Sequence, residues 1–116
     1  MEQKVHIPCV DLAGCNYIEV EVMYMKGEAW SRCYNKRGYY LAVRPVTITP
    51  MEFQGTKYNM FSIGECARPS KIYLLEETTR KSPKRLNEFL SKVQAHAKEI
   101  TDAFVRQDYN AVWAYV

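Results

Sequence analysis

A period of two governs the first half of the chain, and a period near 3.6 governs the last third. Over residues 17–25, Ile18, Val20, Val22 and Tyr24 stand on one side and Glu19 and Glu21 on the other, which predicts a strand with one dry and one wet face. Residues 4–9 alternate Val5, Ile7 and Cys9, and Pro8 removes a ladder donor, so a short edge strand is expected. Residues 11–14 read as a turn. Lys26-Gly27 reads as a two-residue hairpin loop, with Gly supplying positive φ, and residues 28–34 as the returning strand. Asn35-Lys36-Arg37-Gly38 has the residues of a type I turn and opens a strand over 39–49. Its apolar parity changes at Pro45, since Tyr39, Leu41 and Val43 share one face and Val46 and Ile48 the other, which predicts a bulge or bend there. Residues 50–55 read as a loop and 57–63 as a fourth strand. Residues 71–79 carry both periods: Ile72 and Leu75 suit a helix, whereas Tyr73, Leu74 and two threonines favour the strand to which the stretch is assigned.

The helical signal is stronger. Ser82 is an N-cap with Pro83 at the first helical position, and Leu86, Leu90, Val93, Ala97, Ile100 and Phe104 then recur at spacings of three and four. Phe89 and Ala103 widen the stripe, and Glu88 supports Lys92 on the outer face. One helix of about 24 residues, about 36 Å long, is predicted. Asp108 is read as the cap of a last helical turn over 109–115. The resulting fold is α+β: an antiparallel sheet of four to five strands, a meander, with one long C-terminal helix packed on one face. It forms a single domain over residues 1–116.

Composition agrees and narrows the function classes. The chain has 116 residues, 47% hydrophobic and 25% charged, enough for one domain that buries roughly two thirds of its unfolded surface. Its apolar runs fall far short of the roughly 20 residues of a membrane span, and residues 1–10 lack the layout of a secretory signal. A cytoplasmic location with no membrane partner is therefore expected, with Cys9, Cys15, Cys33 and Cys66 as thiols, most of them buried. Sixteen basic against thirteen acidic residues gives +3, too little to argue for nucleic acid from total charge.

The run Cys33-Tyr34-Asn35-Lys36-Arg37-Gly38-Tyr39-Tyr40-Leu41-Ala42-Val43, followed by Pro45-Val46, and the run Leu74-Leu75-Glu76-Glu77 leading into Arg80-Lys81-Ser82-Pro83-Lys84-Arg85, carry a resemblance. Over about residues 33–100 the chain resembles a group of small uncharacterised proteins of gut Firmicutes and their mobile elements. Lys36 stands where that group has Pro, and its Ala-Phe-Ser-Gly stretch is matched loosely by Met60-Phe61-Ser62-Ile63-Gly64. The resemblance implies a cytoplasmic accessory protein and carries no activity, cofactor or catalytic residue.

Distribution of charge supplies the first candidate site. Arg80, Lys81, Lys84 and Arg85 gather around Ser82 at a helix start, where the macrodipole disfavours cations unless an anion fills the site. The competing reading is a solvated loop whose cations pair with Glu76 and Glu77. The second candidate is Lys36 and Arg37 flanked by Tyr34, Tyr39 and Tyr40, a pattern that suits stacking on bases beside phosphates and equally suits half-buried strand tyrosines. His6, Cys9 and Cys15, with Cys33 or Cys66, lack the tight pair of a structural zinc site, so no metal or other cofactor is assigned. A Cys nucleophile with His6 or His96 has no motif behind it, and no catalytic residue is assigned. The aromatic end 111–116 either folds back or offers a surface to a partner or a second copy. These readings predict a non-catalytic binding protein that meets an anionic or protein partner through the basic helix start and the Tyr/Arg sheet patch. The alternative is a single-stranded nucleic-acid binder, ahead of a Cys-dependent enzyme or a zinc-stabilised module.

Overall fold

The computed structural model describes residues 4–8, 14–63 and 69–116. Five strands, β1 (Lys4–Pro8), β2 (Tyr17–Met25), β3 (Gly38–Phe53), β4 (Thr56–Ile63) and β5 (Lys71–Glu77), form one antiparallel sheet. Helices α1 (Pro83–Ala95) and α2 (Ala97–Val105) and a terminal 3-10 helix, Tyr109–Tyr115, follow. The order β1-β2-β3 is continued on the far edge of β3 by two strands in succession, β5 along residues 38–43 and β4 along 46–53. Among the described residues no helix is long and apolar enough to cross a membrane.

Hydrogen-bond direction explains how β3 tolerates its prolines. Asn16 N donates to Val46 O at 2.8 Å and Ile48 N to Asn16 Oδ1 at 2.6 Å, so even-numbered backbone groups of β3 face β2 and odd-numbered ones face β5 and β4. Pro45 falls between Val43, the last residue on β5, and Val46, the first on β4. Its missing N–H points into that junction, where no strand asks for it. β3 therefore pairs with β2 across Pro45 without a register shift, and the predicted bulge at this point is not present. The change of parity marks where the chain leaves the helix-covered part of the sheet. Residues 50–53, predicted as loop, continue β3, because Gln54 (φ 50°) and Gly55 (φ 82°) alone make the two-residue turn into β4.

Two further expectations are corrected. Residues 28–34 are not a strand: Glu28 N donates to Tyr34 O at 2.7 Å, and Ser31 Oγ accepts from Cys33 N at 3.2 Å and Tyr34 N at 3.0 Å. These local bonds close a loop and consume donors a ladder needs. The partner of β2 is instead β3, with Tyr24 opposite Tyr39 and Met25 opposite Gly38. The single long helix is two, divided at His96 (φ −120°, ψ 21°), whose N–H is shared between Lys92 O at 3.1 Å and Val93 O at 3.3 Å. Neither Pro nor Gly lies near the break. Packing makes it: α1 rests on β2, α2 rests on β1 and the 3-10 helix, and a bent pair follows the sheet twist as a straight rod does not.

The core lies between sheet and helices. Ile18, Val20, Val22, Tyr39, Leu41, Val43 and Tyr73 meet Phe89, Val93, Ile100, Ala103, Phe104 and Val112. The terminal aromatics fold back, with Trp113 edge-on to Tyr73 at 5.2 Å and Tyr115 against His96. On the opposite face Glu19, 6% exposed, receives Lys4 Nζ at 3.1 Å, while Arg44 reaches Glu21 at 2.7 Å and Glu19 at 3.6 Å. Burial works to lower the Arg44 pKa, but its bonds to Glu21 and Tyr34 outweigh that and raise it. This face neutralises itself.

Candidate functional site: a basic cleft at the sheet end

Gly27, at φ +84°, lets the 26–37 loop close, since a Cβ there would lie 3.2 Å from Arg37 N and 3.3 Å from Lys36 C. Arg37 Nε donates to Lys26 O at 3.2 Å, so the two ends of the loop meet. Thr78 N donates to Arg37 O at 2.9 Å, and the Tyr24 hydroxyl donates to Thr78 O at 3.1 Å, which lays the end of β5 beside them. The connection to α1 is held by Tyr39, whose buried hydroxyl accepts from Ser82 N at 2.7 Å and has Ser82 O at 3.2 Å and Arg80 O at 3.4 Å as acceptors. A cleft of about 410 Å³ results, lined by Tyr24, Lys26, Arg37, Thr79 and Lys81. No carboxylate lines it, and none of its three cations makes an ion pair with a described residue. Two larger recesses, on the outer face of α1 and on the β3–β4 hairpin, mix acidic and basic linings and so attract an anion less.

The helix start itself is filled. Ser82 is the N-cap, its Oγ accepting from Arg85 N at 3.3 Å. Arg85 is turned to carboxylates of its own chain, Nη1 to Glu88 at 2.7 Å and Nη2 to Glu76 at 3.1 Å, with its guanidinium 4.2 Å from the Phe89 ring centre. Hydrogen bonds to Glu88 and then Glu76 raise its pKa further. A register shift in β5 aims Glu76 there: Tyr39 pairs with Glu76 but Tyr40 with Leu74, so Leu75 is the extra residue and Glu76 joins Tyr73 on the helix side. That shift also accounts for the mixed period of residues 71–79. Lys36 Nζ lies 3.8 Å from Glu77. Arg85 thus follows the self-paired reading, and Lys36 pairs as well, while Lys84 lies on the outer face of α1 and Arg80 is exposed beside the cleft connection.

The tyrosine patch is closed rather than open. Tyr39 and Tyr40 are 0% and 2% exposed, so neither offers a ring face to a base. The Tyr40 hydroxyl donates to Lys36 O at 2.6 Å, and Tyr34 covers Tyr40 edge-on at 5.1 Å. Tyr39 and Tyr40 shape the turn, and Tyr34 is half-buried against Tyr40. Of the other candidates, His6 stacks on Tyr17 at 4.4 Å, Cys15 is buried and Cys33 is exposed. Cys9 and Cys66 lie outside the described residues, among which no His, Cys, Asp or Glu cluster could hold a metal.

The sequence reading found Arg37 and Lys81 but missed Lys26, Tyr24 and Thr79. In the sequence Lys26 reads only as part of a turn. The available signal was that Lys26 and Arg37 bracket one loop, and that Gly27 permits a close approach as well as a turn. Comparison of the chain with protein families, with curated proteins and with solved structures finds no match, so the resemblance over residues 33–100 assigns no role and function rests on geometry.

Proposed function

We propose that the protein is a non-catalytic binding module that takes an anionic group of its partner into the cleft of Lys26, Arg37 and Lys81. The observation that carries this is the convergence of three unpaired cations from separate segments, with two hydroxyls and no carboxylate among the lining. Such a site attracts phosphate, sulfate or carboxylate groups without asking for their geometry in detail. A second reading, single-stranded nucleic acid, is favoured by Trp30, which is 84% exposed on the 26–37 loop and free to stack where Tyr39 and Tyr40 are not.

Electrophoretic shift against single- and double-stranded DNA and RNA at two salt concentrations, beside titration with pyrophosphate followed by amide chemical shifts, tests both. Pyrophosphate is expected to move amides around Lys26, Arg37 and Lys81, and Arg37→Glu/Lys81→Glu is expected to abolish the effect. If nucleic acid is the partner, affinity falls with salt at a slope of about −0.7 per phosphate contacted, and Trp30→Ala weakens it. Absence of any shift at low salt removes the nucleic-acid reading. Anion binding that survives the charge reversal removes the cleft.

A further inference from the structure

The end of β3 opposite the cleft carries surface that the binding function does not use. Beyond Val46, β3 and β4 run on as a two-stranded ribbon, and residues 50–61 are exposed throughout. Six of the eight large apolar side chains exposed among the described residues lie here: Met51, Phe53, Tyr58, Met60, Phe61 and Ile63. They occupy both faces, because Ile48 pairs with Phe61 and Val46 with Ile63 on one, while Met51 pairs with Tyr58 and Thr49 with Met60 on the other. An isolated two-stranded ribbon is marginal in water, and an apolar patch of this extent marks a contact surface.

The two edges of the ribbon differ in a way that selects the contact. Backbone groups alternate in direction, so Lys57, Asn59, Phe61 and Ile63, opposite the even residues of β3, turn their N–H and C=O away from β3. On the β3 edge Pro50 occupies the equivalent outward position and blocks pairing there. The β4 edge has no proline and one charge, Lys57, and no described strand pairs with it. We propose that this edge pairs with the same edge of a second copy of the chain, antiparallel about a two-fold axis at Met60. In that register each outward residue meets another: Lys57 faces Ile63 of the second copy and Asn59 faces Phe61. Equal parity keeps the apolar faces of the two ribbons in register.

Charge and edge geometry both point to a second copy. Residues 46–63 hold one acid and one base, Glu52 and Lys57, in cross-strand register, so two ribbons meet without net repulsion. The basic clefts lie toward the other end of the 16-residue β3, about 40 Å along the strand from Thr49, which is opposite Met60, and several Debye lengths from the contact. With side chains 37–65% exposed, the ribbon leaves on the order of 600 Å² of apolar surface in water. Edge pairing covers only part of this surface, so the dimer is expected to be weak. This inference does not depend on the anion reading, and none of its variants touches the cleft.

Sedimentation equilibrium of the full chain from low micromolar to near-millimolar concentration tests it. A monomer–dimer equilibrium with little salt dependence is expected. Asn59→Pro removes an outward donor and leaves the bonds to β3 intact, so it is expected to weaken dimerisation at least tenfold with an unchanged circular dichroism spectrum. With Cys33 replaced by Ser, Met60→Cys is expected to give a disulfide-linked dimer under mild oxidation that the Cys33→Ser chain alone does not form, and this holds as the test should Asn59→Pro misfold. A chain that stays monomeric across the range overturns the proposal, even if its ribbon binds some other protein. So does a dimer that Asn59→Pro leaves intact and Met60→Cys does not trap.

Discussion

Replacing Tyr39 by Phe removes one oxygen from a buried position and tests how the cleft is assembled. The ring contacts of Tyr39, 5.2 Å to Tyr24 and 5.4 Å to Phe89, survive the change, so packing is held constant. What is lost is the acceptor for Ser82 N at 2.7 Å and the donor to the carbonyls of residues 80–82. The hydroxyl has one proton, so one donated and one accepted bond disappear, and the Ser82 N–H is left without its partner at a helix start that is only partly open to water. Such a loss costs about 2 kcal/mol, between the net value of a hydrogen bond and the full penalty of a stranded donor. For a chain of this length that is a fall in Tm of about 8 °C, and a fall in urea midpoint of about 1 M at an unchanged slope. Because the bond spans 43 residues, the variant also loosens the segment that carries Lys81, and anion affinity should fall by less than Lys81→Glu causes. Equilibrium urea unfolding followed by tryptophan fluorescence measures the first effect. A loss under about 0.5 kcal/mol would mean that water takes the place of Tyr39 and that the connection is held by other contacts.

Other expectations follow from single contacts. Gly38→Ala places a Cβ on the Glu76 carbonyl oxygen, which backbone cannot yield cheaply, so a loss of about 3 kcal/mol or more, or failure to accumulate as soluble protein, is expected in expression and denaturation assays. Burial first and the neighbouring Tyr109 second push the Tyr73 phenol up to about 12. The native state then keeps a proton that the unfolded chain has released. Stability from this group is whole below about pH 10 and is lost as pH rises toward 12, by up to about 3 kcal/mol. Tyr73→Phe should flatten that alkaline decline in a pH series of thermal melts, and a decline of unchanged steepness would contradict the assignment. Arg85→Ala should cost about 1 kcal/mol, because the side chain covers Phe89 as well as pairing with Glu76 and Glu88, while Lys84→Ala beside it should stay within about 0.5 kcal/mol in the same unfolding assay.

What near neighbours decide is legible in the amino-acid order alone. Alternation named β2, Ser82 and Pro83 named the helix start, and the stripe from Leu86 to Phe104 named the face that packs, because strand period, capping and helical spacing act within a few residues. Tertiary structure decided the rest. The 28–34 segment alternates well enough for a strand, but β2 gains a longer partner in β3, and local bonds from Ser31 and Glu28 close the loop instead. The stripe runs unbroken through His96, yet the helix divides because its halves rest on different elements. In the chain Arg37 and Lys81 belong to two separate candidate patches and Lys26 to neither. They become a site because Gly27 admits the loop end, Arg85 holds the carboxylate of Glu76, and Tyr39 ties down a segment 43 residues distant. Bonds across such separations are chosen by the whole packed fold, and no local pattern encodes them.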